Sequence, residues 1–393
     1  MSQEVFILGG KRTPMGEYVG ALKDISAIDL GATAAKAALE TTAVAPEQID
    51  HTIFGNALQT SGDAIYGARH VALKAGIPYD RPALTVNRLC GSGIQSIVSG
   101  AQMIRLGEAQ TCLVGGMESM SQAPHVIRGA RAGLGLGQGK LEDSLMVALL
   151  DTYCNTPMAG TAENLARKFE ISREEQDRYA LRSQQAAKRA VDEGFFADEI
   201  VPVEINNRKG ITLFDHDDHM RPDTTLEVLA KLKPAFGKDG FVTAGNASGI
   251  VDGAAALIIA GESYVKAHDM KPLGRIVSWA YAGVEPEIMG IGPVPASLQA
   301  LEKAGLKLEQ MDLVEVNEAF AAQYLAVEQE LGLVREKTNV NGGAIALGHP
   351  LGATGTRLVL TLLRELRRRS ARYGLATACI GGGQGIAMIV ERL

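Results

Sequence analysis

Two cysteines and one histidine in this chain each stand among glycines, in three short stretches far apart. They are Asn87-Arg88-Leu89-Cys90-Gly91-Ser92-Gly93, Asn341-Gly342-Gly343-Ala344-Ile345-Ala346-Leu347-Gly348-His349-Pro350 and Cys379-Ile380-Gly381-Gly382-Gly383-Gln384-Gly385. A thiol is a soft nucleophile suited to a thioester-type carbonyl, and an imidazole can take up its proton. Glycines leave backbone N–H groups uncovered and let a substrate approach the main chain. Together the three stretches point to an enzyme that carries an acyl group on sulfur.

The neighbouring residues say how these groups are held. After Cys90 the apolar residues Ile94, Ile97, Val98, Ala101 and Ile104 recur at helical spacing, so Cys90 falls at a strand-to-helix turn. The helix dipole and free N–H groups there are expected to favour a thiolate. Ala376-Thr377-Ala378 leads into Cys379 similarly, but Ile386 to Val390 reads as a further strand, so Cys379 is expected on a loop. The competing reading for each cysteine is a buried structural thiol. It fits Cys112, which sits in an apolar run, and Cys154 also lacks a functional setting.

Composition narrows the class. At 393 residues the chain is long enough for two or three domains, and 46% hydrophobic with 21% charged residues fits a soluble globular protein. A net charge of -6 argues against a nucleic-acid partner. Four cysteines in this length make no disulfide framework and suggest reduced thiols. Neither a basic leader nor a membrane-length apolar run is present, and Glu391-Arg392-Leu393 does not match the Ser-Lys-Leu signal. The expected location is cytoplasmic, without membrane attachment, and the sequon Asn246-Ala247-Ser248 is discounted accordingly.

A faint internal repeat organises the rest. Ala38-Leu39-Glu40 precedes Glu47-Gln48-Ile49-Asp50 at the spacing by which Ala300-Leu301-Glu302 precedes Glu309-Gln310-Met311-Asp312. Both then enter apolar runs, at Ile53-Phe54-Gly55-Asn56 and Val314-Glu315-Val316-Asn317, reading as helix, turn and buried strand. A duplicated α/β domain follows. Residues 119–249 differ in character and read as an insertion, with a long polar helix from Ser172 to Glu193. The run Asp215-His216-Asp217-Asp218-His219 reads as a solvated turn rather than a metal site. Cys90, His349 and Cys379 lack the close cysteine pairs of structural zinc. Gly133 to Gly139 fails the dinucleotide fingerprint at every register, and the basic run from Arg364 to Arg372 reads as an exposed helix face.

Six motifs in order give the chain a resemblance along nearly its whole length. Arg12-Thr13-Pro14, Leu89-Cys90-Gly91-Ser92-Gly93, Gly245-Asn246-Ala247-Ser248-Gly249, Asn317-Glu318-Ala319-Phe320, Gly348-His349-Pro350 and Cys379-Ile380-Gly381-Gly382-Gly383 resemble those of the thiolases. The resemblance implies two βαβαβ-type halves in a five-layered α/β/α/β/α core, with residues 1–118 plus 250–270 and residues 271–393 as halves and 119–249 as a loop domain. It implies Cys90 as nucleophile, His349 as its base and Cys379 as the acid/base at the acetyl-CoA carbon. Asn317 would hold a water that with His349 forms one oxyanion hole; the N–H groups of Cys90 and Gly381 would form the other. Arg221, Thr224 and Ser248 match coenzyme A contacts, and Met289 and Phe320 match the lining of its pantetheine tunnel. Coenzyme A is thus a substrate, and no cofactor or metal is expected. The family pattern also implies a homotetramer, a dimer of dimers, joined through the region from Ser121 to Gly139.

Within the family, short-chain synthetic enzymes carry His-Met before a Thr-Ala-Glu-Asn-like motif, whereas here Pro157-Met158 precedes Thr161-Ala162-Glu163-Asn164. This is similar to the mitochondrial-type 3-ketoacyl-CoA thiolases and puts strict C4 specificity in doubt. The alternative is a short-chain acetoacetyl-CoA thiolase working in the synthetic direction. A decarboxylating ketoacyl synthase would carry a second histidine where Cys379 stands, and an inactive binding protein would not need every catalytic position intact.

Overall fold

The computed structural model describes residues 3–208, 210–235 and 239–393. The first half runs through strand β1 (Val5–Arg12), helix α1 (Ala27–Thr42), β2 (His51–Gly55), α2 (Gly67–Lys74), β3 (Ala83–Val86), α3 (Ser92–Leu106) and β4 (Thr111–Glu118). An excursion follows that includes helices α4 (Met158–Lys168) and α5 (Arg173–Asp192). The chain then re-enters the sheet as β5 (Val251–Gly261). The second half consists of β6 (Gly274–Gly283), α6 (Pro293–Ala304), β7 (Leu313–Val316), α7 (Ala321–Leu331), α8 (Leu351–Arg368), β8 (Tyr373–Ile380) and β9 (Gln384–Arg392).

The strand pairing repeats itself. In the first half β1, β5 and β4 pair antiparallel in that order, β4 pairs β2 in parallel and β2 pairs β3 in parallel. In the second, β6, β9 and β8 pair antiparallel, β8 pairs β7 in parallel, and Val314 makes a parallel bridge to Thr338. The faint sequence repeat is therefore a structural duplication, with Ile53 and Val314 on the equivalent strands β2 and β7. The two sheets meet edge to edge through Phe6 with Arg275 and Ile7 with Gly274.

Five layers follow from which face each residue uses. Alternate strand residues point to opposite faces. Phe6, Leu8 and Ile258 pack outward with Leu30 and Val71 of α1 and α2. Ile7, Val114 and Ile259 point inward to Ile94, Ile97 and Ile104 of α3 and Leu358 and Leu362 of α8, which in turn meet Ala376 and Met388 of the other sheet. Leu375 and Ile389 face outward to Ala296 and Leu301 of α6 and Tyr324 of α7. Strands buried on both faces need near-continuous apolar sequence, and all of β5 is buried. The central helices α3 and α8 touch at the main chain: a side chain at Gly93 would overlap the Thr356 N–H, and one at Gly355 the Ile94 N–H.

The expected helix from Ser172 to Glu193 is α5 with its two caps. Ser172 and Glu175 form a reciprocal capping box. The acidic run departs from expectation. Asp217 is buried and pairs both carboxylate oxygens with the wholly buried Arg12, at 2.7 and 2.9 Å, while Glu199 takes Arg12 Nε at 2.7 Å. A charge buried this deeply must be paired, and this explains Arg12 of the Arg-Thr-Pro motif. Among the described residues no cluster of histidine, cysteine or carboxylate side chains could hold a metal, and no helix is long and apolar enough to cross a membrane. The arginine run at the end of α8 is an ion-paired face, with Arg368 and Arg369 on Glu365 and Arg372 on Glu391.

Candidate active site

Cys90 sits in the turn between β3 and α3, as its glycines and the helical spacing predict. Leu89 takes φ +45°, a left-handed conformation that costs a side chain about 1–2 kcal/mol. Side chains on both flanks hold it. Asn87 Oδ1 accepts from Leu89 N at 2.9 Å, and Ser92 Oγ accepts from Arg88 N at 2.8 Å while donating to Leu89 O at 2.7 Å. Gly91 packs against Ile380 with no room for a side chain. The Cys90 sulfur faces the N–H groups of Gly381 and of Cys90 itself. The expected resting thiolate is not the outcome. Burial pushes the thiol up to about 11, outweighing the N–H groups that favour its ionised form.

His349 is buried just before α8. Its Nδ1 lies 2.6 Å from Thr354 Oγ1, which itself donates to Pro350 O at 3.1 Å. Thr354 therefore accepts, which assigns the proton to Nδ1 and leaves Nε2 as a lone-pair acceptor. Asn317 Nδ2 lies 3.2 Å from that Nε2, and Asn317 Oδ1 is buried without a protein partner. Burial, reinforced by Arg357, pushes the imidazole down to about 3, so it rests neutral.

Cys379 is the next-to-last residue of β8, not a loop residue. The ladder runs on through Cys379 opposite Gly385 and Ile380 opposite Gln384. The turn comes only after it, at Gly382 and Gly383, both left-handed at φ +83° and +82°. Burial, then the neighbouring Cys90, holds the Cys379 thiol well above its usual range.

An apolar pocket of about 430 Å³ opens beside these groups, walled by Met120, Met146, Leu149, Leu150, Pro157, Met158, Phe320 and Leu351, with Ser248 and His349 as its polar side chains. Cys90 packs against a buried cluster that includes Met120 and Leu351 of that wall. A second pocket of about 530 Å³, lined by Arg221, Thr224, His219 and Glu17, borders the same segment at Ala244 and Gly245. His219 covers Gly249, where any side chain would overlap its ring. Of the residues matched to coenzyme A contacts, Ser248 and Phe320 thus share one pocket and Arg221 and Thr224 the other. Arg221 is already ion-paired with Glu17, and Thr224 Oγ1 donates to Arg221 O at 2.7 Å. Met289 is buried with Ala319 and Cys379, and Phe320 packs against them.

Sequence reasoning passed over three residues that hold this site. Thr354 orients His349. Glu318, beside Asn317, is buried and accepts from Tyr179 Oη, Ser183 Oγ, Asn339 Nδ2 and Ile345 N at 2.6–3.2 Å. Glu118, which closes β4, accepts from four N–H groups. A carboxylate ending a fully apolar run was the only signal for Glu118, and the motif Asn317-Glu318 the only one for Glu318.

Two thiols, a neutral imidazole whose Nε2 is an acceptor and two backbone N–H groups facing the Cys90 sulfur suit covalent acyl transfer with proton movement at a neighbouring carbon. The comparisons agree. The thiolase N-terminal domain matches residues 5–263 and the thiolase C-terminal domain residues 270–392. The chain is 60% identical over 388 residues to the mitochondrial 3-ketoacyl-CoA thiolase of Homo sapiens, covering 98% of each chain. It is 52% identical over 392 residues to an acetyl-CoA acetyltransferase of Pseudomonas aeruginosa, covering 99% of this chain and 100% of that one. The crystal structure of the human mitochondrial 3-ketoacyl-CoA thiolase superposes with a TM-score of 0.98 at 59% identity, over 100% of this chain and 99% of that one. The same human enzyme in complex with CoA gives 0.97 at 59% identity, over 100% of this chain and 98% of that one. The acetyl-CoA acetyltransferase of Bacillus anthracis gives 0.98 at 45% identity, over 100% of this chain and 99% of that one. This chain is an acyltransferase and belongs to the thiolase family.

Proposed function

We propose that this protein is a 3-ketoacyl-CoA thiolase, cleaving its substrate with CoA and releasing acetyl-CoA by a reversible, ping-pong route. The observation that carries the reading is the apolar pocket that places Pro157, rather than a histidine, among its walls beside His349 and Phe320. Such a pocket suits an acyl tail longer than that of acetoacetyl-CoA, each buried methylene contributing about 0.8 kcal/mol.

The chemistry follows from the resting charges. As the Cys90 sulfur attacks the 3-keto carbon, its proton passes to His349 Nε2. The N–H groups of Cys90 and Gly381 receive the developing oxyanion. Collapse breaks the bond between C2 and C3, leaving the acyl group on Cys90 and an acetyl-CoA enolate. Asn317 with His349 stabilises the enolate oxygen, and the Cys379 thiol protonates its carbon. The Cys379 thiolate then takes the proton of an incoming CoA thiol, whose sulfur attacks the acyl-enzyme. Cys90 leaves and recovers its proton from His349.

The same reading gives residues 119–249 coenzyme A contacts, with Arg221 and Thr224 toward the nucleotide and Ser248 toward the pantetheine, and the second half adds Met289 and Phe320 as lining for the pantetheine. No further cofactor is required. It also gives a homotetramer. The hairpin strands His125–Ile127 and Leu141–Asp143 leave Ile127, Leu134, Leu136 and Leu141 exposed, which supports self-association there. The four free cysteines support a reducing compartment, and we place the protein in the cytoplasm.

The test is kcat/KM for thiolysis across 3-ketoacyl-CoA substrates from about C4 to C16. Substrates longer than C4 should match or exceed acetoacetyl-CoA, since one buried methylene at about 0.8 kcal/mol is roughly a fourfold gain. Activity confined to acetoacetyl-CoA would replace this reading with a synthetic acetyl-CoA C-acetyltransferase, which the identity to acetyl-CoA acetyltransferases favours.

A further inference from the structure

We infer that Glu118 is a positioning residue: its single buried carboxylate holds the Cys90 turn and the His349 helix in register with one another. The inference rests on the acyl-transfer reading above.

Glu118 closes β4 with no exposure to solvent. Its Oε1 accepts from Asn56 Nδ2 at 2.7 Å and Leu58 N at 3.1 Å. Its Oε2 accepts from Ala57 N at 3.1 Å and Gly352 N at 2.9 Å. All four partners are N–H donors, and none can accept in return.

One arm reaches the base. Gly352 is the second residue of α8, where N–H groups have no partner within the helix and a negative charge is favourable. Two residues on, Thr354 Oγ1 accepts from His349 Nδ1 at 2.6 Å. The approach is possible only because Gly352 lacks a side chain, which would stand 2.8 Å from Gly55 O. The other arm reaches the nucleophile. Ala57, held through its N–H by Glu118, accepts at its carbonyl from Asn87 Nδ2 at 3.1 Å. Asn87 Oδ1 in turn accepts from Leu89 N at 2.9 Å, the residue before Cys90. One chain of hydrogen bonds from the Cys90 turn to the start of the His349 helix thus passes through this side chain, beside the direct contact of α3 with α8 through Thr356 Oγ1 and Gly93 O at 3.2 Å.

Stability alone is a poor reason for this arrangement. A buried carboxylate costs desolvation that a neutral or apolar group would avoid. An acceptor-only group is needed because a glutamine of the same shape would set its NH2 against two of the four donors, whichever way the amide turned.

The experiment is steady-state thiolysis at pH 8 with wild-type protein, Glu118→Gln, Asn87→Ala and the double variant. Displacing a reacting group by about 1 Å costs on the order of 100-fold, so Glu118→Gln should lower kcat by about that factor. KM for CoA should stay within about twofold, because the coenzyme A contacts lie elsewhere. Asn87→Ala should lower kcat by about tenfold, the link being only one of two arms. The double variant should lose less than the product of the two, since both act on one chain of contacts. A Glu118→Gln kcat within about twofold of wild type, or a multiplicative double variant, would overturn the proposal. Should Glu118→Gln not fold, Asn87→Ala decides alone. Its side chain is exposed, so an unchanged kcat there refutes the link. Wild-type protein inactive on every 3-ketoacyl-CoA would instead sink the thiolase reading itself.

Discussion

Acidification should destabilise this protein through His349 in particular. The imidazole is held down to about 3 by burial and by Arg357, whereas in the unfolded chain it titrates near 6.5. Below 6.5 the unfolded chain therefore binds a proton that the folded chain refuses. The neutral imidazole's contribution is fully present above 6.5 and is lost as the pH falls toward 3. Each pH unit in that window is worth about 1.4 kcal/mol, so moving from pH 8 to pH 5 should cost about 2 kcal/mol through this one group. Glu118, pushed up to about 7, and Glu315, pushed up to about 8, act with the opposite sign, because the folded state holds their protons longer. Comparison with a variant removes them. Urea unfolding of wild type and His349→Asn at both pH values should give a wild-type loss larger by about 2 kcal/mol. Equal losses would mean that the folded imidazole takes up the proton after all. The downward shift ascribed to burial and Arg357 would then be wrong, although an imidazole titrating near 6.5 would still be a neutral base at pH 8.

Three further outcomes are expected. Cys379→Ala should still acquire an acyl group on Cys90, read by mass spectrometry, yet fail to condense acetyl-CoA; condensation at the wild-type rate would make Cys379 structural only. Arg12→Met should cost about 3–5 kcal/mol in urea unfolding, since it strands the buried Glu199 and Asp217 without their cation; a loss under about 1 kcal/mol would mean those carboxylates find other partners. Arg221→Ala should raise KM for CoA more than it lowers kcat, being remote from the reacting bond. An unchanged KM would leave Arg221 to its ion pair with Glu17 and place the nucleotide elsewhere.

What could be read from the sequence was whatever is encoded within a few residues. The Cys90 turn announces itself through adjacent glycines and a helical apolar period, and α5 as a long polar run from Ser172 to Glu193. The strand-like run from Ile386 to Val390 points to a loop at Cys379, whereas pairing of β8 with β9 carries the ladder past it. Asp217 looked solvated because its partner Arg12 is 205 residues away. The role of Glu118 is hidden for the same reason, since Gly352 lies 234 residues from it. The charge state of Cys90 depended on burial by both halves, which no local pattern records. Helix-start N–H groups could be inferred; the desolvation that outweighs them could not.

Cys90 stands at the entrance of α3 and His349 at the entrance of α8, and these two helices are counterparts in the duplicated halves. In an assembly of two identical chains about a true twofold axis, counterpart positions must carry the same residue. A thiol would then face a thiol, or an imidazole an imidazole, and neither couple can pass a proton from nucleophile to base. Joining the halves in one polypeptide removes that restriction, so the two entrances can specialise in opposite directions at the cost of having one centre instead of two. Asn56 after β2 and Asn317 after β7 have kept a common residue type, yet one braces Glu118 and the other faces His349. The division of labour at this centre is a broken symmetry, which two identical chains about a twofold axis could not achieve at counterpart positions.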